Sequence, residues 1–185
     1  MKRTFIAIKV PLSKNASELI HKIKFELKEE RIKWVESWNL HITLFFIGDT
    51  EENIIDEIGK SLSEKLENIS PFNLKCENLG VFKNTLNPKA LWIGIHESES
   101  LNGLKLAVNE AMSMQGFSSE EKLFKPHLTI GRTKFLNDKN RIKKLTEEYK
   151  DVVFQNLVID KVLFYESILT PKGPIYKVLR EFQLN

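Results

Sequence analysis

The chain holds a single cysteine, Cys76, among 185 residues. No disulfide can close within it, and a reducing compartment, the cytoplasm, is the expectation. It has no Cys-x-x-Cys pair, and four histidines with one cysteine argue against a structural zinc site. No stretch approaches the ~20 apolar residues that cross a bilayer. The apolar run after Met1-Lys2-Arg3 ends at Lys9 and Pro11, short of the ~7–15 residues of a signal-peptide core, and reads as a first strand. A Gly-rich phosphate loop and a metal-binding carboxylate cluster are both missing. Linkers and low-complexity stretches are missing too, so residues 1–185 are expected to form one domain of two intertwined lobes.

What remains is a chain with 42% hydrophobic residues and a net charge of +3, enough apolar content for a core and a mild bias toward anionic partners. Its most informative feature is a pattern that occurs twice. Asn39-Leu40-His41-Ile42-Thr43-Leu44-Phe45-Phe46 and Lys125-Pro126-His127-Leu128-Thr129-Ile130-Gly131-Arg132 both spell His, apolar, Thr, apolar. Side chains of a strand alternate between its faces. Each stretch therefore offers an apolar face to a core and a polar face carrying an imidazole and a hydroxyl.

The surroundings of the two motifs repeat as well. His127 and Thr129 follow His41 and Thr43 by 86 residues each, and Phe5-Ile6-Ala7-Ile8 shifted by 86 falls on Leu91-Trp92-Ile93-Gly94. The first half reads as a strand over 4–10, then a helix from Ser13 or Asn15 to about Arg31. The His41 strand to Gly48 follows, then a helix capped by Thr50 and a strand over 72–82 bent near Gly80. The second half reads as a strand over 90–95, a helix over 101–114, the His127 strand, a helix from Asn137 or Asp138 through Tyr149, and strand over 152–165 broken near Asp160. A last strand over 175–182 follows the turn Pro171-Lys172-Gly173-Pro174. The expected fold is α+β and bilobal. Two pseudo-symmetric β-α-β-α-β units, about 4–82 and 90–165, place antiparallel sheets across a central groove.

Two histidines on opposite walls of a groove suit in-line displacement at phosphorus. A neutral imidazole takes a proton from the nucleophile, and an imidazolium gives one to the leaving oxygen on the far side. Thr43 and Thr129, on the same faces, can donate to non-bridging phosphate oxygens. A strained cyclic phosphodiester fits such a site without a metal or other cofactor. Phe45 or Phe46 on one rim and Arg132 nearby could hold a base and a phosphate, although strict alternation aims Phe46 and Arg132 away from the histidine faces; a bend at Gly131 would re-aim Arg132. The approximate symmetry allows either histidine to be the acid.

Other residues have plainer readings. Trp34, Trp38, Trp92, Phe45 and Phe46 suit a core, with one of the two phenylalanines lining the groove, Cys76 a packed small residue, His21 a solvated position and His96 a loop. Six basic residues between Arg132 and Lys144 form either a solvated helix face or an RNA-backbone contact.

The paired His-x-Thr motifs resemble the signature of the two-histidine (2H) phosphoesterases. Arg3-Thr4-Phe5-Ile6-Ala7, Trp34-Val35, Phe46-Ile47-Gly48, Leu79-Gly80-Val81-Phe82, Leu91-Trp92 and Pro126-His127-Leu128-Thr129-Ile130-Gly131-Arg132 are similar to the RNA 2′,3′-cyclic phosphodiesterase branch, also called 2′-5′ RNA ligase. Gly131 stands where that branch often has Ala or another small residue. The resemblance implies metal-free hydrolysis of RNA 2′,3′-cyclic phosphate ends to 2′-phosphates. His41 would be the proton donor to the 3′ oxygen and His127 the proton acceptor from water, and reverse 2′-5′ joining is possible. It implies RNA or oligonucleotide ends as partners and small cyclic nucleotides as possible ones; independently of the resemblance, no membrane association and a monomer are expected. Two alternatives stay open at the level of sequence: a catalytically idle RNA-end or nucleotide-binding module using the same groove, and a zinc protein built on the histidine pair.

Overall fold

The structure is a computed structural model that describes residues 1–82, 88–118, 124–171 and 173–185. Lys172, within the expected turn, lies outside the described residues. Nine strands and four α-helices run in the order β1 (Lys2–Lys9), α1 (Lys14–Glu26), β2 (Arg31–Trp34), β3 (His41–Thr50), α2 (Ile55–Leu66), β4 (Phe72–Phe82), β5 (Ala90–Ile95), α3 (Glu99–Met114), β6 (His127–Phe135), α4 (Lys139–Glu148), β7 (Val153–Ile159), β8 (Lys161–Thr170) and β9 (Gly173–Gln183) among the described residues.

All strand pairing is antiparallel, in a four-stranded sheet of order β3-β1-β8-β9 and a five-stranded sheet of order β2-β6-β5-β4-β7. The pseudo-symmetric pairs are therefore present, β1 with β3 and β5 with β6. The third strand of each unit, however, is exchanged: β4 lies beside β5, and β8 lies beside β1. The matching of β1 to β5 is also one residue off the uniform shift. Ala7 pairs with Thr43 while Trp92 pairs with Thr129, so Ala7 and Trp92 are the equivalents, not Ile6 and Trp92.

Three local expectations are corrected. Helix α1, capped by the Ser13 hydroxyl accepting from the Ala16 N–H, stops at Glu26. The residues beyond it pair with β6, Ile32 opposite Thr133 and Trp34 opposite Gly131, because alternating burial of Ile32 and Trp34 on the sheet outweighs helix propensity. Thr50 does not cap a helix. It ends β3, and its hydroxyl lies 2.6 Å from Thr4 Oγ1 and donates to Gly48 O; α2 starts five residues later with no side-chain cap. The irregularity in β4 sits at Asn78, with φ 65° and the register shift beside it, and not at Gly80. Gly80 is required for a different reason: a Cβ there would collide with the Trp92 ring.

Helices α1 and α4 pack on the five-stranded sheet and α2 and α3 on the four-stranded one. Ile6, Ile8, Ile42, Leu44, Leu91, Ile93, Leu128 and Ile130 point into one continuous core with the helices' apolar faces. The opposite face of the four-stranded sheet carries a separate buried cluster of Phe5, Ala7, Leu163 and Tyr165, with Tyr176 packed on it. That second face belongs to the groove.

Candidate active site

The two motif histidines open β3 and β6, each half-buried beside an apolar neighbour that is buried. Their local geometry is the same. His41 Nδ1 lies 2.7 Å from the Asn39 carbonyl and His127 Nδ1 lies 2.8 Å from the Lys125 carbonyl. A carbonyl only accepts, so in both rings Nδ1 carries the proton and Nε2 is left for chemistry. Neutral, each Nε2 is a base; protonated, each is an acid.

Aromatic rings hold both imidazoles in place. Phe5 and Tyr176 flank His41 at centroid distances of 5.0 and 5.1 Å, Tyr176 edge-on at 83°. Phe82 meets His127 edge-on at 4.5 Å and leans on Trp92 at 5.6 Å. Phe5, Phe82 and Tyr176 are not candidates that the sequence singles out for the site. They lie far from the motifs along the chain, and only the sheet pairings bring them close. Asn39 contributes twice: its carbonyl orients His41, and its amide donates to the Pro174 carbonyl at 3.0 Å, so the β8–β9 turn curls back toward the histidine.

Thr43 and Thr129 sit on the histidine faces, two residues on, each partly exposed. Alternation then breaks in both strands at the same place. Leu44 has no partner between the pairs Ile6–Phe45 and Ala7–Thr43, and Ile130 has none between Leu91–Gly131 and Trp92–Thr129. In each motif two consecutive residues are buried on the core side, Leu44–Phe45 and Ile130–Gly131. A bulge of this kind resets the alternation. Phe46 and Arg132 are therefore turned to the histidine face, against the sequence expectation. Phe46 is 54% exposed, with the Arg3 guanidinium 5.0 Å from its ring centroid.

The bulge carbonyls have partners outside the β1–β3 and β5–β6 ladders. Val35 N–H donates to Ile130 O at 2.9 Å. On the β3 side, which is a sheet edge, the Lys105 ammonium of α3 donates to Leu44 O and to Asn109 Oδ1, both at 2.6 Å. The same ammonium lies 5.1 Å from the Phe45 ring centroid, and burial lowers its pKa.

Both catalytic candidates bind a proton less readily than a free histidine. Burial is the main cause for His41, partly opposed by its bond to Asn39, and the positive fields of His127 and Arg132 lower it further. For His127, burial again leads, the Lys125 carbonyl opposes it, and Arg132 adds to it. Arg132 and Arg3 also act on the Tyr176 phenol, which burial raises on balance. Strands β3 and β6 are in contact, and Tyr176 stands edge-on to His41, so the two motifs and Tyr176 share one neighbourhood.

The plainer readings divide. Phe45 is buried, and Cys76 is buried with its thiol pushed up to about 12 by desolvation. Trp34 packs against the core. Trp38, expected inside, is 68% exposed, and Trp92 stands on the groove face beside Phe82. His21 and His96 are exposed, His21 against the Ser17 carbonyl and His96 against Glu77. Among the described residues no three of His, Cys, Asp or Glu gather as metal ligands, so a zinc centre on the histidine pair would find no third protein ligand there.

The model of the 2′-5′ RNA ligase superfamily matches residues 11–164. An RNA 2′,3′-cyclic phosphodiesterase of Thermotoga maritima is 39% identical over 98% of this chain and 95% of its own length. One of Methanocaldococcus jannaschii is 38% identical over 97% and 99%. Among solved structures, a Thermus thermophilus protein aligns with TM-score 0.81 at 23% identity, covering 98% of this chain and 97% of that one. Escherichia coli LigT complexed with 3′-AMP aligns with TM-score 0.74 at 18% identity, covering 100% and 98%.

Proposed function

The chain belongs to the 2′-5′ RNA ligase superfamily and its activity is that of an RNA 2′,3′-cyclic phosphodiesterase; for the mechanism, we propose that His41 and His127 open the cyclic phosphate of an RNA end to a 2′-phosphate without a metal. His127, neutral, takes a proton from water through Nε2 as the water oxygen bonds to phosphorus. The bond from phosphorus to O3′ breaks on the opposite side, and His41 Nε2–H supplies the proton that O3′ needs. The bond to O2′ is kept, which fixes the product. Thr43 and Thr129 donate to the non-bridging oxygens, and Arg132 offsets the charge that grows on them. Phe46 offers a face on which the terminal base stacks. A 5′-hydroxyl in place of water gives a 2′-5′ linkage by the same displacement.

The observation that carries this reading is the matched pair of Nδ1 bonds, to Asn39 O and Lys125 O, which leaves two Nε2 atoms free in one site. The depressed proton affinities add a condition. The protein surroundings lower the proton affinity of both imidazoles, whereas a bound phosphate anion favours the charged form. Substrate therefore brings about the protonation of His41 that its departure step requires. The proposal includes a monomer acting in the cytoplasm.

The test is the product of 2′,3′-cyclic AMP turned over in the presence of EDTA. The expected product is 2′-AMP at an undiminished rate. Release of 3′-AMP would overturn the assignment of the leaving oxygen, and loss of turnover in chelator would overturn the metal-free step.

A further inference from the structure

Lys33 stands directly opposite Arg132 in the β2–β6 pairing. Residues paired across strands project to the same face, so once the Ile130 bulge has turned Arg132 into the groove, Lys33 points there as well. The intervening partners obey the same geometry. Ile32 and Trp34, one residue to either side of Lys33, are packed on the core side, where their atoms come within 2.8 and 3.0 Å of a Cβ built at Gly131. The Lys33 ammonium is located from a second direction: Nζ lies 3.5 Å from where a Cβ on Gly173 would stand. Gly173 precedes Pro174, whose carbonyl is held by Asn39. Lys33 thus sits at the mouth of the groove, between the β8–β9 turn and the lead-in to His41.

Two like charges directly opposite on a sheet destabilise it. Neither Lys33 nor Arg132 has a carboxylate within ion-pair distance among the described residues. On the same half Lys22 pairs with Glu148 and Arg141 with Asp138, whereas Lys24, Arg31 and Lys134, like Lys33 and Arg132, have no carboxylate partner among the described residues. What sets Lys33 and Arg132 apart is that they stand opposite each other on the groove face. An unneutralised cation pair facing a groove is suited to anions, and its members sit one strand apart, ~4.8 Å in the backbone, with flexible heads that can spread further. Arg132 is nearer the histidines along β6. Lys33 is one strand outward, where a second phosphate would lie. On the four-stranded sheet the corresponding cation, Arg3, is already seated on the Phe46 ring.

We propose that Lys33 binds the phosphodiester on the 5′ side of the terminal nucleotide, so that the groove discriminates an RNA strand end from a cyclic mononucleotide. This rests on the phosphodiesterase reading above. With Arg132 on the scissile phosphate and Lys33 on the next one, the strand leaves the site between β2 and the β8–β9 turn. A 2′,3′-cyclic mononucleotide, with one phosphate, has nothing to offer Lys33.

The experiment compares 2′,3′-cyclic AMP with the dinucleotide ApA ending in a 2′,3′-cyclic phosphate, in unmodified protein and in Lys33→Met and Lys33→Arg. The ratio of kcat/KM, dinucleotide over mononucleotide, is expected to fall about tenfold in Lys33→Met and to be largely restored in Lys33→Arg. Dinucleotide binding should become less sensitive to salt in Lys33→Met, as expected when one cation–phosphate contact is removed. The same ratio is read independently as Kd for the product pair, 2′-AMP and ApA ending in a 2′-phosphate, which needs no turnover. An unchanged ratio in both measurements overturns the role of Lys33. Failure of the unmodified protein to open either cyclic substrate, by contrast, overturns the activity, and the Kd ratio still decides Lys33.

Discussion

Phe46 and Arg132 occupy the same place in the two halves of the site. Each follows its histidine by five residues, and each is turned into the groove by a bulge two residues earlier, at Leu44 and at Ile130. The chemistry is divided across that equivalence: one half offers an aromatic face, the other a guanidinium. A duplicated scaffold with unlike residues at a matched position can hold an asymmetric ligand, a base on one side and a phosphate on the other.

His41→Ala and His127→Ala are each expected to lower kcat for a 2′,3′-cyclic phosphate by about 10²–10⁴, the usual contribution of a positioned acid or base. Because the two act in one displacement, the double variant should lose much less than the product of the single losses. Steady-state or single-turnover kinetics measures this, with circular dichroism showing that the fold persists. Either variant turning over at the unmodified rate would remove that histidine from the mechanism.

The pH dependence should differ between kcat/KM and kcat. Both histidines titrate below the ordinary value in the free site. The kcat/KM bell, which reports the free protein, should have its limbs on the acid side of about 6.5, the ordinary histidine value. With substrate bound, the phosphate charge raises both proton affinities, so the kcat bell moves to higher pH. Parallel profiles from about pH 4.5 to 8.5, a span centred on the ordinary histidine range, measure the displacement. A kcat bell on the acid side of the kcat/KM bell would contradict it.

Lys105→Met leaves the Leu44 carbonyl without its charged donor, a loss of about 1–3 kcal/mol for a buried acceptor. The bulge is expected to relax and Phe46 to lose its aim. The measured outcome is a lower Tm together with a raised KM and a smaller change in kcat. A fall in Tm with KM unmoved would reduce Lys105 to a packing role.

Gly80→Ala places a methyl group into the Trp92 ring. The ring must shift, at a cost of about 1–3 kcal/mol for overpacking, and Phe82 and His127 lie next in the chain of contacts. The variant should be less stable and slower, whereas Gly103→Ala, where a Cβ meets open space, should be neither. Calorimetry and turnover on the two variants provide the comparison.

The histidine pair is legible in the sequence because its signal is local: a period of two within each strand and a constant spacing between strands. Thr43 and Thr129 follow from the same period. That period also misplaces Phe46 and Arg132, since a bulge is decided by pairing with β1 and β5 and by what receives the free carbonyl, Lys105 or Val35. Strand β2, four residues long, goes unread between the helix expected to end near Arg31 and the His41 strand, because its identity comes from β6. Phe5, Phe82 and Tyr176 carry no motif of their own and reach the imidazoles only through the sheet order.

The exchange of β4 and β8 between the sheets has a consequence for how the molecule comes apart. Each repeat completes its neighbour's sheet, so neither repeat is a module that could be expressed, shuffled or melted separately. Severing the chain between Phe82 and Ala90 would strip an interior strand from both sheets at once. Heat or denaturant should abolish secondary structure and hydrolysis in a single transition, with no half-active intermediate.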